Sequence, residues 1–131
     1  MVMERFNAIR WHDSKLRGLC FYREESEERV RIYVELLEEG STLKPASIIF
    51  RESTYINLEV DLEGKSVCSD DISDAECYAS SDWTKALSAR NPHDSFEGYL
   101  HFRVSLIPPG GEINILAKDF LIESADKRSE L

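Results

Sequence analysis

The chain has 131 residues, 42% hydrophobic and 31% charged, with only six Gly and four Pro. That is one domain's worth of sequence with enough apolar material for a core, which excludes a disordered, collagenous or low-complexity chain. Sixteen Lys plus Arg against 25 Asp plus Glu leave a net charge of −9, the wrong sign for wrapping a phosphate backbone. Nucleic acid is therefore not the expected partner.

Glu4 and Arg5 stand where a secretory signal needs apolar residues, and no window approaches the ~18 apolar residues that span a bilayer. Three cysteines, Cys20, Cys68 and Cys77, cannot all pair within one chain, which fits a reducing compartment. The expectation is a cytoplasmic protein that does not engage membrane.

Leu16 to Arg23 reads as a strand with a bulge at Gly18, followed by a polar loop from Glu24 to Arg29. From Arg29 to Leu36 the alternation is strict: Val30, Ile32, Val34 and Leu36 share one face, while Arg29, Arg31, Tyr33 and Glu35 share the other. A hairpin loop follows at Glu38–Ser41, then a short apolar strand at Ala46–Arg51 behind Pro45, which suits a strand start or an edge. Thr54 to Glu63 alternates again, with Ile56, Leu58, Val60 and Leu62 facing inward, and stops at Gly64. The only helix predicted is Asp82–Ala89, capped by Ser81 and stopped by Asn91-Pro92, with Trp83 and Leu87 turned to the core.

Beyond it, Tyr99 to Ile107 places Leu100, Phe102, Val104 and Leu106 inside, and Pro108–Gly111 makes a hairpin loop. Ile113 to Ile122 carries Ile113 and Ile115 and breaks phase at Asp119-Phe120. Leu16, Ile48 and Phe50 complete the predicted core, and residues 124–131 read as a flexible tail. Charged residues at every second position exclude a doubly covered parallel sheet. The sequence thus predicts one mainly β domain over residues 1–131, an antiparallel β-sandwich or partly open barrel of six to seven strands with one short helix.

Four constellations could carry chemistry. His12-Asp13 and His93-Asp94 could ligate a divalent metal, as in a metal-dependent hydrolase, if the fold joined them. A zinc set of Cys68, Cys77, His93 and His101 can be written down, but a nine-residue cysteine gap is poor ligand spacing. Eight acids between Glu59 and Asp82, including Asp70, Asp71 and Asp74, read as a solvated strand face and loop, as a negative surface suited to a basic partner, or as oxygen ligands for calcium. Tyr33, Tyr55 and Tyr99 sit on polar strand faces with Arg103, the residue types favoured in interface cores. A homodimer through the three tyrosines would satisfy the same pattern. There is no Gly-x-Ser-x-Gly elbow, Cys-x-x-Cys pair or phosphate cradle. The expectation is a non-enzymatic binding module without a cofactor, using Tyr33, Tyr55, Tyr99, Arg103, Asp70, Asp71 and Asp74.

Trp11-His12-Asp13-Ser14-Lys15-Leu16, leading into two strands, resembles the opening of small all-β bacterial proteins of the immunity protein 50 type. The resemblance covers about the first forty residues. It implies an inhibitor that binds a toxin, with an acidic surface suited to a basic one, and it implies no catalytic residues.

Overall fold

The computed structural model describes residues 1–39, 42–60, 71–107 and 110–124. Over these residues it is mainly β, with eight strands in two four-stranded antiparallel sheets. The first sheet has the order β1-β2-β3-β8, from β1 (Lys15–Glu24), β2 (Glu27–Glu38), β3 (Thr42–Arg51) and β8 (Asp119–Ser124). The second has the order β4-β7-β6-β5, from β4 (Tyr55–Val60), β7 (Gly111–Ala117), β6 (Leu100–Leu106) and β5 (Ile72–Tyr78). Two helices accompany them, α1 (Val2–Asn7) and α2 (Asp82–Arg90).

The alternation of the sequence becomes rows across the sheets. Phe21, Val30, Phe50 and Phe120 form one inward row of the first sheet, and Leu19, Ile32, Ile48 and Ile122 the next. Cys77, Phe102, Ile115 and Ile56 form an inward row of the second sheet. Both sheets contribute to one hydrophobic cluster, with Phe6 of α1 at its hub. The Phe6 ring lies 4.8 Å from Trp11, 5.0 Å from Phe102 and 5.2 Å from Phe120. Edge-to-face aromatic packing of this kind adds to area burial.

The two sheets share one long ribbon. β3 runs into β4 and β7 into β8, and pairing continues around the bend through Lys118 N–H to Arg51 C=O at 3.1 Å and Thr54 N–H to Leu116 C=O at 2.9 Å. At the β4–β7 end, Gly111 has φ of +113° and a Cβ there would lie 1.9 Å from the Glu59 carbonyl oxygen, so only glycine fits.

Several expectations need correction. Eight strands replace six to seven. β5 lies within the acidic segment, where no strand is expected; its small inward residues Ala75 and Cys77 and a register shift between Ile72 and Asp74 obscure the period. The run Ile113–Ile122 is two strands, because the chain changes sheet at Lys118. A second helix, α1, is too short to announce itself and is held by Phe6 and by Asn7, whose Oδ1 accepts the Cys77 N–H at 2.8 Å. The expected Glu24–Arg29 loop is a two-residue turn, Glu25-Ser26, both at positive φ, between two long strands.

Leu58, expected in the core, lies on an inward row but is 50% exposed, because β4 is an edge strand. Phe21 and Ile122 end their rows on edge strands in the same way, 60% and 51% exposed. Trp83 is half-buried. The Gly18 bulge is present as a register shift between Leu16 and Gly18. Pro45 lies inside β3, opposite Glu35 of β2 and just beyond the last residue paired with β8. Leu62, Asp70, Cys68 and residues 125–131 lie outside the described residues. Among the described residues no helix is long and apolar enough to cross a membrane.

Candidate functional site

The Trp-His-Asp-Ser element is a structural turn with two exposed residues on it. Trp11 is buried and its Nε1–H donates to the Phe6 carbonyl at 2.9 Å. Ser14, fully buried, donates to the Arg10 carbonyl at 2.8 Å and accepts the Leu37 N–H at 2.9 Å. Asp13 N–H and Ile72 N–H exchange bonds with the Ile72 and Ser14 carbonyls across to β5. His12 and Asp13 project outward and pair with each other at 3.1 Å. His93 and Asp94 are exposed in the turn after α2. Among the described residues no three His, Cys, Asp or Glu side chains converge to hold a metal ion.

The three tyrosines do not form one patch. Tyr33 lies on the outer face of the first sheet and Tyr55 on that of the second. Tyr55 reaches Tyr99 only through Phe96, with ring centroids 5.6 Å and 6.4 Å apart. Arg103 is on the second sheet, bonded to Tyr78 at 3.0 Å and to Asp74 at 3.2 Å. Asp71 is half-buried against Lys15 on β1. Asp71 and Asp74 are therefore each occupied by a cation of the protein's own fold.

Among the described residues no helix lies over the outer face of the first sheet. Its rows are Gly18, Tyr33, Ser47 and Glu123, then Cys20, Arg31, Ile49 and Leu121. Arg31 lies over Tyr22 and Tyr33 at 5.4 Å and 5.9 Å and donates to Glu123 at 3.1 Å. Its stem helps bury Ser47 and Ile49.

At one end of this sheet the β1–β2 turn is rich in acid. Arg29, itself buried, is shared by Glu24 at 2.5 Å, Glu27 at 2.8 Å and Glu25 at 3.6 Å. Glu24, Glu25 and Glu28 remain exposed although paired, Glu28 accepting from Arg23 at 2.7 Å, and the four glutamates of the turn outnumber its two arginines. Beside them a shallow groove of about 170 Å³ is lined by Phe21, Glu28, Tyr55 and Ile56 among others. Sequence reasoning selected Tyr55 here but missed Phe21, whose inward phase disguised an exposed ring at a sheet edge.

The outer face of the second sheet is roofed by α2. One row reads Tyr78, His101, Leu116 and Tyr55, and the next Glu76, Arg103, Asn114 and Asn57. Leu116 and His101 are buried although they face away from the core. Ser81, the N-cap of α2, lies 2.7 Å from His101 Nδ1, and His101 Nε2 lies 2.6 Å from Asn114 Oδ1. Asn114 Nδ2 donates to Glu112 at 3.0 Å, which turns its Oδ1 toward His101. The imidazole then carries its proton on Nε2 and accepts the Ser81 hydroxyl on Nδ1. Burial, the largest influence, pushes the His101 pKa below its usual value. The Asn114 bond and Glu112 oppose the fall, and Arg103 adds to it.

Serine, histidine and asparagine in this order resemble a nucleophile with its base and orienting group. The packing argues for a tether instead. His101 is 4% exposed, with Trp83 at 4.6 Å and Tyr78 at 5.3 Å, and Ser81 Oγ also accepts the Thr84 N–H at 3.2 Å. Cys77 offers no nucleophile either, since burial pushes its thiol up to about 12.

The chain matches no family model, no curated protein and no solved structure. The likeness of the Trp11–Leu16 element to immunity proteins therefore rests on its own residues.

Proposed function

We propose that the protein is a small binding module that docks a basic protein partner at the acidic end of the first sheet. Phe21 supplies the apolar anchor in this reading, and Glu24, Glu25 and Glu28 supply the charged rim. The observation that carries it is a phenylalanine 60% exposed beside a groove that also holds Glu28 and Tyr55. An aromatic anchor within a charged rim is how compact interfaces divide affinity from steering. The net charge of −9 favours association with a cation-rich surface. Inhibition of a basic toxin, as the immunity-type resemblance implies, is the sharper form of the same proposal.

We also infer that the two sheets pack as an open sandwich. Both inward faces feed one aromatic cluster, which supports that arrangement.

The test is capture of a basic protein at low salt, repeated with variants. Wild-type protein and Tyr33→Phe should retain the partner and release it on a salt step. Phe21→Ala, and separately Glu24→Gln with Glu28→Gln, should lose it while keeping the native circular dichroism spectrum. Retention by the Phe21 variant would end this assignment of the site. Sedimentation of the pure protein as a dimer dissociated by Phe21→Ala would give the groove to a second copy instead.

A further inference from the structure

Acids outnumber cations in this chain by 25 to 16, and the fold spends most of its cations on its own carboxylates. Among the described Lys and Arg residues only Arg10, Lys85 and Arg90 have no carboxylate partner. Two of the three are on α2, and each lines a groove on its own flank of the helix. The last turn of a helix favours a cation, which accounts for a positive charge at Arg90 but leaves its guanidinium fork unfilled.

The groove beside Arg90 has a volume of about 440 Å³, within the usual range of small-molecule sites. Trp83, Leu87 and Arg90 lie at i, i+4 and i+7, so one face of α2 lines it, with Tyr55 and Asn57 of edge strand β4 facing them. Its polar groups are unspent. Among the described residues the Trp83 Nε1–H and the Asn57 amide make no hydrogen bond, and Asn91 uses only Nδ2, on the Leu87 carbonyl at 2.9 Å. Among the described residues no buried side-chain nitrogen lacks a partner, so the free Trp83 N–H is open to solvent. The other indole, Trp11, is bonded to the Phe6 carbonyl. At the helix end the Asn91 N–H turns back to Leu87 and Ser88, which leaves the Ala89 and Arg90 carbonyls as open acceptors among the described residues.

We propose that the groove between α2 and β4 is a saccharide site, selective for a sugar ring that carries one carboxylate, as in a uronic acid. It lies on the second sheet and stands independently of the acidic docking surface on the first. An unpaired guanidinium selects an anion and holds a carboxylate through two parallel bonds. The partial negative charge of the α2 C-terminus, in the same turn, disfavours the double charge of a phosphate. Trp83 and Tyr55 offer flat apolar surface with a polar tip, which suits the C–H face of a sugar ring. Free donors beside free acceptors match hydroxyls, which give and take hydrogen bonds at once. An aromatic carboxylate would desolvate those groups without pairing them, at a cost in affinity.

Proton–nitrogen NMR of the full chain tests this, because its two tryptophans give only two indole signals. The probes are digalacturonic acid and a glucuronic-acid disaccharide, against cellobiose, benzoate and glucose 6-phosphate. At millimolar concentration a uronic disaccharide should shift the Trp83 indole and leave that of Trp11 in place. Arg90→Gln should weaken binding by about tenfold or more, the effect of one charged hydrogen-bonded pair, and erase the preference over cellobiose. Asn57→Ala should weaken it several-fold, and Lys85→Ala on the other flank should leave it unchanged. All three positions are exposed, so the fold tolerates the changes. No binding of either uronic disaccharide, or wild-type affinity in Arg90→Gln, would overturn the proposal. Tighter binding of benzoate or glucose 6-phosphate would overturn the ligand class, and loss in Lys85→Ala alone would move the site to the other groove and overturn it equally.

Discussion

On the first sheet, Ser47 and Ile49 face away from the core and are covered by Arg31, with Tyr22, Tyr33 and Glu123 holding its guanidinium. On the second, Leu116 and His101 also face away from the core and are covered by α2. The first cover is made of long side chains from the sheet's own strands, so it forms with the sheet. The second is a separate element, tied by a short polar chain that contains a titratable ring. A cover intrinsic to a sheet can open only with the sheet, whereas an added one can open alone. The difference teaches how each face is closed: the first by side chains of its own strands, the second by a helix joined to it through Ser81 and His101.

The largest test of this contrast compares two leucines, both on outer faces. Leu116→Ala should cost about 2–5 kcal/mol, as for a buried leucine, and Leu121→Ala, 42% exposed, less than ~1 kcal/mol. Urea midpoints measure both, and equal losses would mean that α2 does not roof its sheet. Next in size is Arg31→Ala, expected to destabilise by about 1–2 kcal/mol through lost packing over Ile49. Arg31→Met should recover most of that. If it recovers nothing, the cover acts through charge rather than through its stem.

Ser81→Ala removes both the helix cap and the tether, and should cost about 1 kcal/mol. Exchange should show the loss confined to α2. A loss spread evenly over β6 and β7 would make α2 part of the same cooperative unit as its sheet. The smallest effect concerns thiols. Cys20, half-buried on the first sheet's outer face beside Tyr33, should react with a maleimide in native protein. Cys77, buried with its thiol raised to about 12, should react only as fast as the protein unfolds. Comparable native rates would show that β5 opens freely at the sheet edge.

Much of the fold is legible in the residues themselves. Val30 to Leu36 and Leu100 to Leu106 announce one-sided strands because side chains alternate and only one face can be dry. The α2 helix is legible from its Ser81 cap and its Asn91-Pro92 stop. β5 is hidden because Ala75 and Cys77 bury little area and a bulge interrupts their period. Tyr33 and Tyr55 look equivalent in sequence, but which strand joins which sheet is not encoded in alternation. His101 could be placed on an outer face, and the apolar run Ile115-Leu116-Ala117 hints at burial on both faces of β7. Nothing local says that Ser81 meets His101, twenty residues away and on another element.

By itself, then, the sequence determined an acidic, mainly β chain with antiparallel strands, the inward rows of most of them and one capped helix. These follow from periodicity, charge and turn chemistry, which act over a few residues. Only the tertiary structure decided that the chain crosses between sheets at Lys118, that Phe21 and Leu58 end their rows in the open, and that α2 seals His101 against the second sheet. Those outcomes depend on which strands become edges and which elements meet, and contacts between residues far apart in the chain settle both.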